Sequence, residues 1–332
     1  MSVLITGGAG YVGSHALREL RAKGYDCIVL DNLSRGHRRL AQDARLTLGD
    51  IGDRKLVAGL LREAKVSAVM HFAAYAYVGE SVTRPLEYYR NNVAQTVGLL
   101  ECMVEAGVKK FVFSSTCATY GVPEVVPITE EHPQRPINPY GASKLMVERI
   151  LRDFESAYGL RSVVLRYFNA AGADPSGLIG EMHDPETHLI PLVLQVAAGE
   201  RRAIEVFGTD YDTPDGTCIR DYVHVTDLAQ AHVLGLRHLE AGGASEAFNL
   251  GNGNGFSVKE VIRAAERVTA RRIAYDTAPR RAGDPAALVG SAAKARRILG
   301  WTPQYVELET IIETAWRWHC AAREGALAAG AS

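Results

Sequence analysis

Through its first 170 residues the chain alternates short β-branched runs with longer helical stretches, and this rhythm leaves few folds open. Val3 to Thr6, Cys27 to Asp31, Ala68 to Phe72, Phe111 to Ser115 and Ser162 to Tyr167 read as strands buried on both faces. Val12 to Lys23, Asp53 to Ala64, Leu86 to Ala106 and Tyr140 to Ala157 read as helices, the last with a stripe of Leu145, Met146, Ile150, Leu151 and Phe154. Strands in one layer joined by helices need crossovers, so the pattern predicts an α/β fold with a doubly wound parallel sheet. After about residue 170 the rhythm gives way to Gly- and Pro-rich loops (Gly172 to Pro191, Gly208 to Gly216) and a final amphipathic stretch from Leu308 to Trp318. Residues 1–170 are therefore expected to form one domain and 171–332 a smaller C-terminal α/β region, with part of 223–251 returning to the first.

The turn after the first strand narrows the class further. Gly7, Gly10 and Gly13 lie in Thr6-Gly7-Gly8-Ala9-Gly10-Tyr11-Val12-Gly13, where missing side chains permit a tight turn and close approach of a pyrophosphate to a helix N-terminus. Glycine-rich turns also serve purely structural ends, and this spacing departs from the commonest dinucleotide fingerprint. Asp31 adds the second half of a Rossmann-type pattern: it lies 18 residues after Gly13, at a strand end, where a carboxylate accepts hydrogen bonds from ribose hydroxyls and repels a 2′-phosphate. NAD is thus favoured over NADP, with Arg35 and the basic run His37-Arg38-Arg39 pulling the other way. Asp50 and Ile51, after the third strand, either flank an adenine or begin a helix.

Composition excludes several classes. Lys and Arg number 37 against 38 Asp and Glu, so no overall field points to nucleic acid or an anionic membrane, and an anionic ligand must be met by particular residues. Five scattered cysteines without a Cys-x-x-Cys argue against a disulfide framework or a thiolate zinc site. No run of 18 apolar residues occurs, and the chain opens directly on a strand-like segment, so a cytoplasmic protein is expected.

Tyr140 and Lys144, in Asn138-Pro139-Tyr140-Gly141-Ala142-Ser143-Lys144, stand four apart and so share a helical face. A free phenol, with a pKa of about 10, is a poor base at neutral pH, and a fixed cation beside it favours the phenolate. Ser114, Ser115 and Thr116 close a predicted strand, at the sheet edge where ligands bind in such folds, although hydroxyl clusters at strand ends also serve as caps.

With these features, and with Asp31-Asn32-Leu33, Gly49-Asp50-Ile51, His71-Phe72-Ala73-Ala74, Val78-Gly79-Glu80-Ser81, Arg166-Tyr167-Phe168-Asn169, Arg220-Asp221-Tyr222 and Pro279-Arg280-Arg281-Ala282-Gly283-Asp284, the chain resembles the extended short-chain dehydrogenase/reductase superfamily. Within it, the chain is similar to the UDP-glucose 4-epimerase family over nearly its whole length. The resemblance implies inversion of sugar C4 in UDP-glucose and UDP-galactose, through transient oxidation by NAD to a 4-keto sugar and return of the hydride to the opposite face. It implies that Tyr140 is the base, Lys144 its activator and ribose partner, and Thr116 the hydroxyl that shares hydrogen bonds with O4. It places NAD against Gly7, Gly10, Tyr11, Val12, Gly13, Asp31, Asn32, Asp50, Ile51, Phe72, Ala73, Ala74, Ser114, Tyr140, Lys144 and Tyr167. It assigns the UDP-sugar to Thr116, Tyr140, Asn169, Leu189, Phe207, Arg220, Arg281, Asp284 and Leu288, and implies a homodimer.

Three residues depart from the most familiar members. Thr116 stands for a Ser, Ala76 for a Lys near the pyrophosphate, and Leu288 for a residue that sets sugar size. Leu288 and the tracts Tyr75-Ala76-Tyr77-Val78 and Thr116-Cys117-Ala118-Thr119 keep UDP-pentoses and UDP-N-acetylhexosamines open as substrates. A 4,6-dehydratase would need carboxylates after the catalytic Thr, where this chain has Cys117 and Ala118; a protein that has lost catalysis fits poorly with Thr116, Tyr140 and Lys144 together. His183, Asp184, Glu186 and His188 invite a metal reading, but the segment lacks His-Glu-x-x-His spacing and precedes Leu189, so a solvated or substrate-gating loop without metal is expected.

Overall fold

Residues 1–281 and 284–330 are described by a computed structural model; Ala282 and Gly283 of the arginine motif, and Ala331 and Ser332 of the tail, lie outside them. The strands of the first region are β1 (Ser2–Thr6), β2 (Asp26–Asp31), β3 (Arg45–Leu48), β4 (Val66–His71), β5 (Lys110–Thr116), β6 (Arg161–Tyr167) and β7 (Glu246–Leu250). Among the described residues these seven pair in parallel in the order β7-β6-β5-β4-β1-β2-β3. The chain builds from β1 outward through β2 to β3, then crosses to the other side of β1 to lay down β4. A crevice therefore opens between the carboxyl ends of β1 and β4, the switch point where ligands settle in doubly wound sheets.

The helices α1 (Tyr11–Ala22), α2 (Arg54–Glu63), α3 (Gln95–Glu105), α4 (Pro139–Tyr158) and α5 (Val225–Glu240) cover both faces. On one face Leu17 and Leu20 of α1 and Leu228 and Leu236 of α5 pack with Val3, Ile5, Val29 and Phe248 of the sheet. On the other, Val57 and Leu61 of α2, Leu100 and Met103 of α3 and Val147 and Leu151 of α4 meet Leu4, Ile28, Val69 and Phe111. Successive residues of β1 thus point into opposite cores, which is why its sequence is apolar without alternation. β7 extends the sheet beside β6, and α5 lies on the α1 face.

The five strands read from the sequence fall on β1, β2, β4, β5 and β6 to within two residues at each end. Leu86 to Ala106 is not one helix: a turn at Pro85–Tyr88 and a π-helical segment Tyr89–Ala94 precede α3. Asn92 accounts for the break. Its amide accepts from Tyr75 N (2.9 Å) and donates to Tyr75 O (3.0 Å) and Ser143 Oγ (3.1 Å), outward bonds that a regular helix would misdirect.

In α4 the Asn138 side chain caps Gly141 N (2.8 Å), Pro139 opens the first turn, and Gly159 in the left-handed region ends the last. Its buried face carries Tyr140, Ser143, Lys144, Val147, Glu148 and Leu151, whereas Met146, from the predicted stripe, is 45% exposed. The inner stripe is mixed because polar groups on this face meet polar partners on the sheet.

Beyond the sheet a second core forms from Ile190, Val193 and Leu194 of the helix Leu189–Ala197, Ile204 and Val206 of a short strand, Val261 and Ala265 of the helix Val258–Thr269, and Ile311 and Ile312 of the helix Leu308–Gly330. Asp227, buried in α5, accepts the backbone amides of Gln304 and Tyr305 (2.9 Å each), and Trp301 Nε1 donates to its carbonyl. These bonds tie the last third of the chain to the sheet. No helix among the described residues is long and apolar enough to cross a membrane.

Candidate active site

A cleft of about 1110 Å³ runs from the carboxyl ends of β1, β2, β4 and β5 towards the second core. Gly7 turns the chain out of β1 with a φ of +73°, and a side chain there would meet the Ala73 amide nitrogen at 2.5 Å, so this turn sits directly against the end of β4. At Gly13 a Cβ would come within 2.2 Å of the Gly7 carbonyl oxygen. Gly10 leads into α1 without a capping side chain, and no acidic residue occupies the first turn, so the helix offers its free amides and positive end to an anion. Asp31, at the end of β2, accepts from Ala9 N (2.9 Å) and Leu33 N (2.8 Å), which ties the glycine turn to β2. Burial raises its carboxyl above the ordinary value, with those two amides working against the rise.

Asn32 donates to Asp50 Oδ2 (2.7 Å), and Asp50 Oδ1 accepts from Gly52 N (2.8 Å). The residue that caps α2 is Asp53, through Leu56 N, not Asp50. Arg35 lies over the rings of Tyr75 and Tyr77 (5.7 and 4.9 Å to the centroids) and pairs with Glu80 at 2.7 Å. Its cation therefore faces the same cleft in which Ala76 carries none.

Where β5 ends, Ser114 Oγ and the Tyr167 hydroxyl share a 2.7 Å hydrogen bond, and Thr116 Oγ1 accepts from Ala118 N (3.1 Å). Tyr140 is 8% exposed; burial drives its phenol well above the usual range, Tyr167 adds to the rise and the Thr116 hydroxyl opposes it. Lys144 is 4% exposed, donates from Nζ to the Ser114 carbonyl (2.8 Å) and lies over the Phe113 ring. Burial pushes its ammonium down to about 7, against the pull of Glu148. The charge read from the sequence as acting directly on Tyr140 is thus bonded to the strand behind it.

One turn further along α4, Glu148 forms a forked ion pair with Arg166 of β6, with Nε and Nη2 donating at 2.6 to 3.2 Å, and also accepts from Ser115 Oγ (2.6 Å). Arg166 Nη1 donates to the Tyr120 hydroxyl, which donates to Asn249 of β7. Asp221, fully buried, accepts the amides of Asn252, Gly253 and Gly290 at 2.7 to 3.1 Å and so gathers two loops. Neither role is legible in the sequence: Glu148 lies outside the motifs, and the spacing of Arg220-Asp221-Tyr222 does not distinguish a buried carboxylate from an exposed one.

Every residue assigned from the sequence to the cofactor or the sugar nucleotide lines this cleft except Lys144, which lies behind Ser114. Arg220 donates to the Ile219 and Pro285 carbonyls and to Asp284, and Arg281 stacks over Phe207 at 3.9 Å. Arg280, 45% exposed in its side chain, pairs with Asp210 and covers Tyr211. The segment expected to be a solvated or substrate-gating loop lines the cleft, and Glu181, His183, Glu186 and His188 converge there, with Glu181 in place of Asp184. Burial works against charge on Glu181, yet His188 and His183 hold its carboxyl low, and Glu181 and Glu186 hold His188 high.

A glycine turn wedged at a sheet switch point, a carboxylate at the end of the next strand and an uncapped helix terminus define a dinucleotide-binding protein of the Rossmann-type doubly wound class. The chain belongs to the NAD dependent epimerase/dehydratase family, whose model matches residues 3–251. A UDP-glucose 4-epimerase of Halalkalibacterium halodurans is 55% identical over 319 residues, 96% of each chain. The structure of UDP-glucose 4-epimerase from Brucella ovis in complex with NAD is 50% identical, with a TM-score of 0.93 over 95% of this chain and 97% of that one. That of UDP-glucose-4-epimerase from Stenotrophomonas maltophila, with bound NAD and formylated UDP-arabinopyranose, is 40% identical, with a TM-score of 0.94 over 98% and 99%. The cofactor is NAD, and the cradle formed by Gly7, Gly13 and Asp31 fits it.

Gly13→Ala is expected to keep the fold and weaken NAD binding. The added Cβ displaces the Gly7 carbonyl, an overpacking that costs about 1–3 kcal/mol of stability; where NAD binding must reverse that displacement, affinity falls by up to roughly 150-fold, which fluorescence titration against wild type, with a circular dichroism control, measures. Lys144 carries a pH signature as well. In the cofactor-free protein its folded pKa (about 7) lies below the ordinary lysine value of 10.5, so between those limits the unfolded chain binds more protons and stability rises with pH. Urea midpoints at pH 7 and pH 9 should therefore rise more for wild type than for Lys144→Met, and superimposable shifts would show that Lys144 stays charged throughout.

Proposed function

We propose that the chain interconverts UDP-glucose and UDP-galactose by inverting sugar C4. The observation that carries this reading is the placement of Thr116 and Tyr140 in one cleft with the dinucleotide cradle, with Lys144 behind them and Cys117 and Ala118 where elimination would need carboxylates. The relatives described above, named UDP-glucose 4-epimerases, support it.

NAD would lie along Gly7 to Gly13, Asp31, Asn32, Asp50, Ile51, Phe72 to Ala74 and Ser114; when bound it supplies a hydride acceptor and, oxidised, a positive charge that favours the Tyr140 phenolate. Tyr140 takes the O4 proton as C4 is oxidised, and Thr116 Oγ1 holds that oxygen in line. Lys144, bonded to the Ser114 carbonyl behind the cleft wall, steadies this end of the site. The 4-keto sugar turns to present its other face, and Tyr140 returns the proton as C4 is reduced. Such turning requires firm hold elsewhere. Arg220, Arg281 and Asn169 grip the diphosphate, while Leu189, Phe207 and Asp284 enclose the uridine, so binding energy far from C4 keeps the intermediate in place.

Residues 1–170 on this reading form the NAD domain and 171–332 the UDP-sugar region, with 223–251 returning to the first. Leu288 packs beside Tyr120, Phe168 and Cys117 and trims the sugar pocket by an aliphatic group. UDP-hexoses are therefore the first substrates, with UDP-arabinopyranose and UDP-N-acetylgalactosamine as the competing readings. Incubation with each UDP-sugar and NAD, followed by NMR of the 4-epimer, tests the assignment. No conversion of any would sink it. Tyr140→Phe should retain NAD and lose about 10²- to 10⁴-fold in kcat, whereas undiminished turnover would remove Tyr140 from the chemistry.

We also infer a cytoplasmic homodimer. Val82, Leu86 and Met146 are 61%, 67% and 45% exposed on the neighbouring segments Val78–Thr83 and Pro85–Tyr88 and on α4, an apolar patch that a second copy would cover. Light scattering is expected to return twice the chain mass of 36.0 kDa, and a value near the chain mass itself would refute the dimer.

A further inference from the structure

Glu181, His183, Glu186 and His188 bring two imidazoles and two carboxylates together at the mouth of the cleft, with all four donor atoms within 4.8 Å of one another. His183 Nδ1 lies 2.8 Å from Glu181 Oε1 and 3.8 Å from Glu186 Oε2, and His188 Nδ1 lies 2.7 Å from Glu181 Oε1 and 3.0 Å from Glu186 Oε1. A tetrahedral zinc ion with ligands at about 2.0–2.2 Å separates its donors by about 3.4 Å, a value inside the range that these four contacts span, so side-chain adjustments of about an ångström convert the cluster into a coordination shell. Charge points the same way. With both imidazoles neutral, as ligands must be, the two carboxylates leave a formal charge of about −2, which one divalent cation cancels in place of the imidazole protons that the carboxylates otherwise hold. The carboxylates are sheltered, each 8% exposed, and the Glu181 carbonyl is fixed by Trp318 Nε1 at 2.9 Å. Against His183 packs the ring of Tyr77, whose hydroxyl is closed off from solvent and has no hydrogen-bond partner among the described residues.

We propose that these four side chains form a closed binding site for a zinc-like divalent cation. With four protein ligands it leaves no open position and so acts structurally, not as a Lewis acid. It would join the segment beginning at Glu181 to His188, the cap residue of the helix Leu189–Ala197, beside the Tyr11 ring that packs on His183. The proposal goes beyond epimerisation and does not depend on it.

Full-length protein, stripped with EDTA and dialysed, is titrated with Zn²⁺ by calorimetry. One equivalent should bind and raise the Tm, and Co²⁺ in its place should give the visible absorption of a four-coordinate ion without a thiolate charge-transfer band. His183→Ala should weaken Zn²⁺ binding by at least about 100-fold, since loss even of an outer-shell partner costs 10- to 100-fold. If circular dichroism shows that variant unfolded, Glu186→Gln gives the same reading. Absence of stoichiometric binding, binding that survives the folded variant, or a thiolate band overturns the proposal. UDP-sugar turnover plays no part in these measurements, so failure of the site and failure of the epimerase reading are separately visible.

Discussion

The buried pair of Glu148 and Arg166 is the interaction on which the rest of the active site depends. Glu148 is on α4, Arg166 on β6, and the Ser115 hydroxyl bonded to Glu148 belongs to β5, so one carboxylate joins the helix that carries Tyr140 to the strands that carry Ser114, Thr116 and Tyr167. Burying such a pair is costly unless its lone pairs and protons are satisfied, and here Gln134, Tyr120 and Asn249 complete the shell. A hydrophobic contact of equal area would hold the layers together equally well, but it would leave the rotation of α4 less defined. Directional bonds favour the orientation that turns Tyr140 and Lys144 towards β5.

A second constraint comes from the sheet itself. The reversal of strand order at β1 and β4 opens a crevice at their carboxyl ends, and the glycine turn enters it so closely that Gly7 abuts the Ala73 backbone. Asp31 then bonds back to Ala9, so the carboxylate proposed to meet the ribose also sets the conformation of the glycine loop. On that reading cofactor recognition and local folding share these atoms.

Electrostatics in a chain of nearly neutral charge must be local, and they are. Lys144 faces Ser114, Arg35 the two tyrosines near Ala76, and Arg220 and Arg281 the far wall of the cleft. Burial, not a neighbouring cation, dominates Tyr140 in the cofactor-free protein. On the proposed reading its use as a base therefore belongs to the complex with oxidised cofactor, a condition that would also tie proton abstraction to readiness for hydride transfer.

By itself the sequence determined the order and type of the main elements and the identity of most cleft residues, because apolar runs, glycine spacing and a helical four-residue interval are local properties of the chain. It marked Tyr140, Lys144, Thr116, Asp31 and the arginines for the same reason. Only the tertiary structure decided which partner each one meets. Lys144 turns to a carbonyl 30 residues away, Asn92 breaks a predicted helix to bond with Tyr75 and Ser143, and Asp221 gathers loops from 252 to 290. Glu181, seven residues before His188, joins a cluster in which Asp184 had been anticipated, since the direction of side chains in an irregular segment is set by what they pack against. Periodicity cannot encode such contacts; they exist only once the sheet has closed.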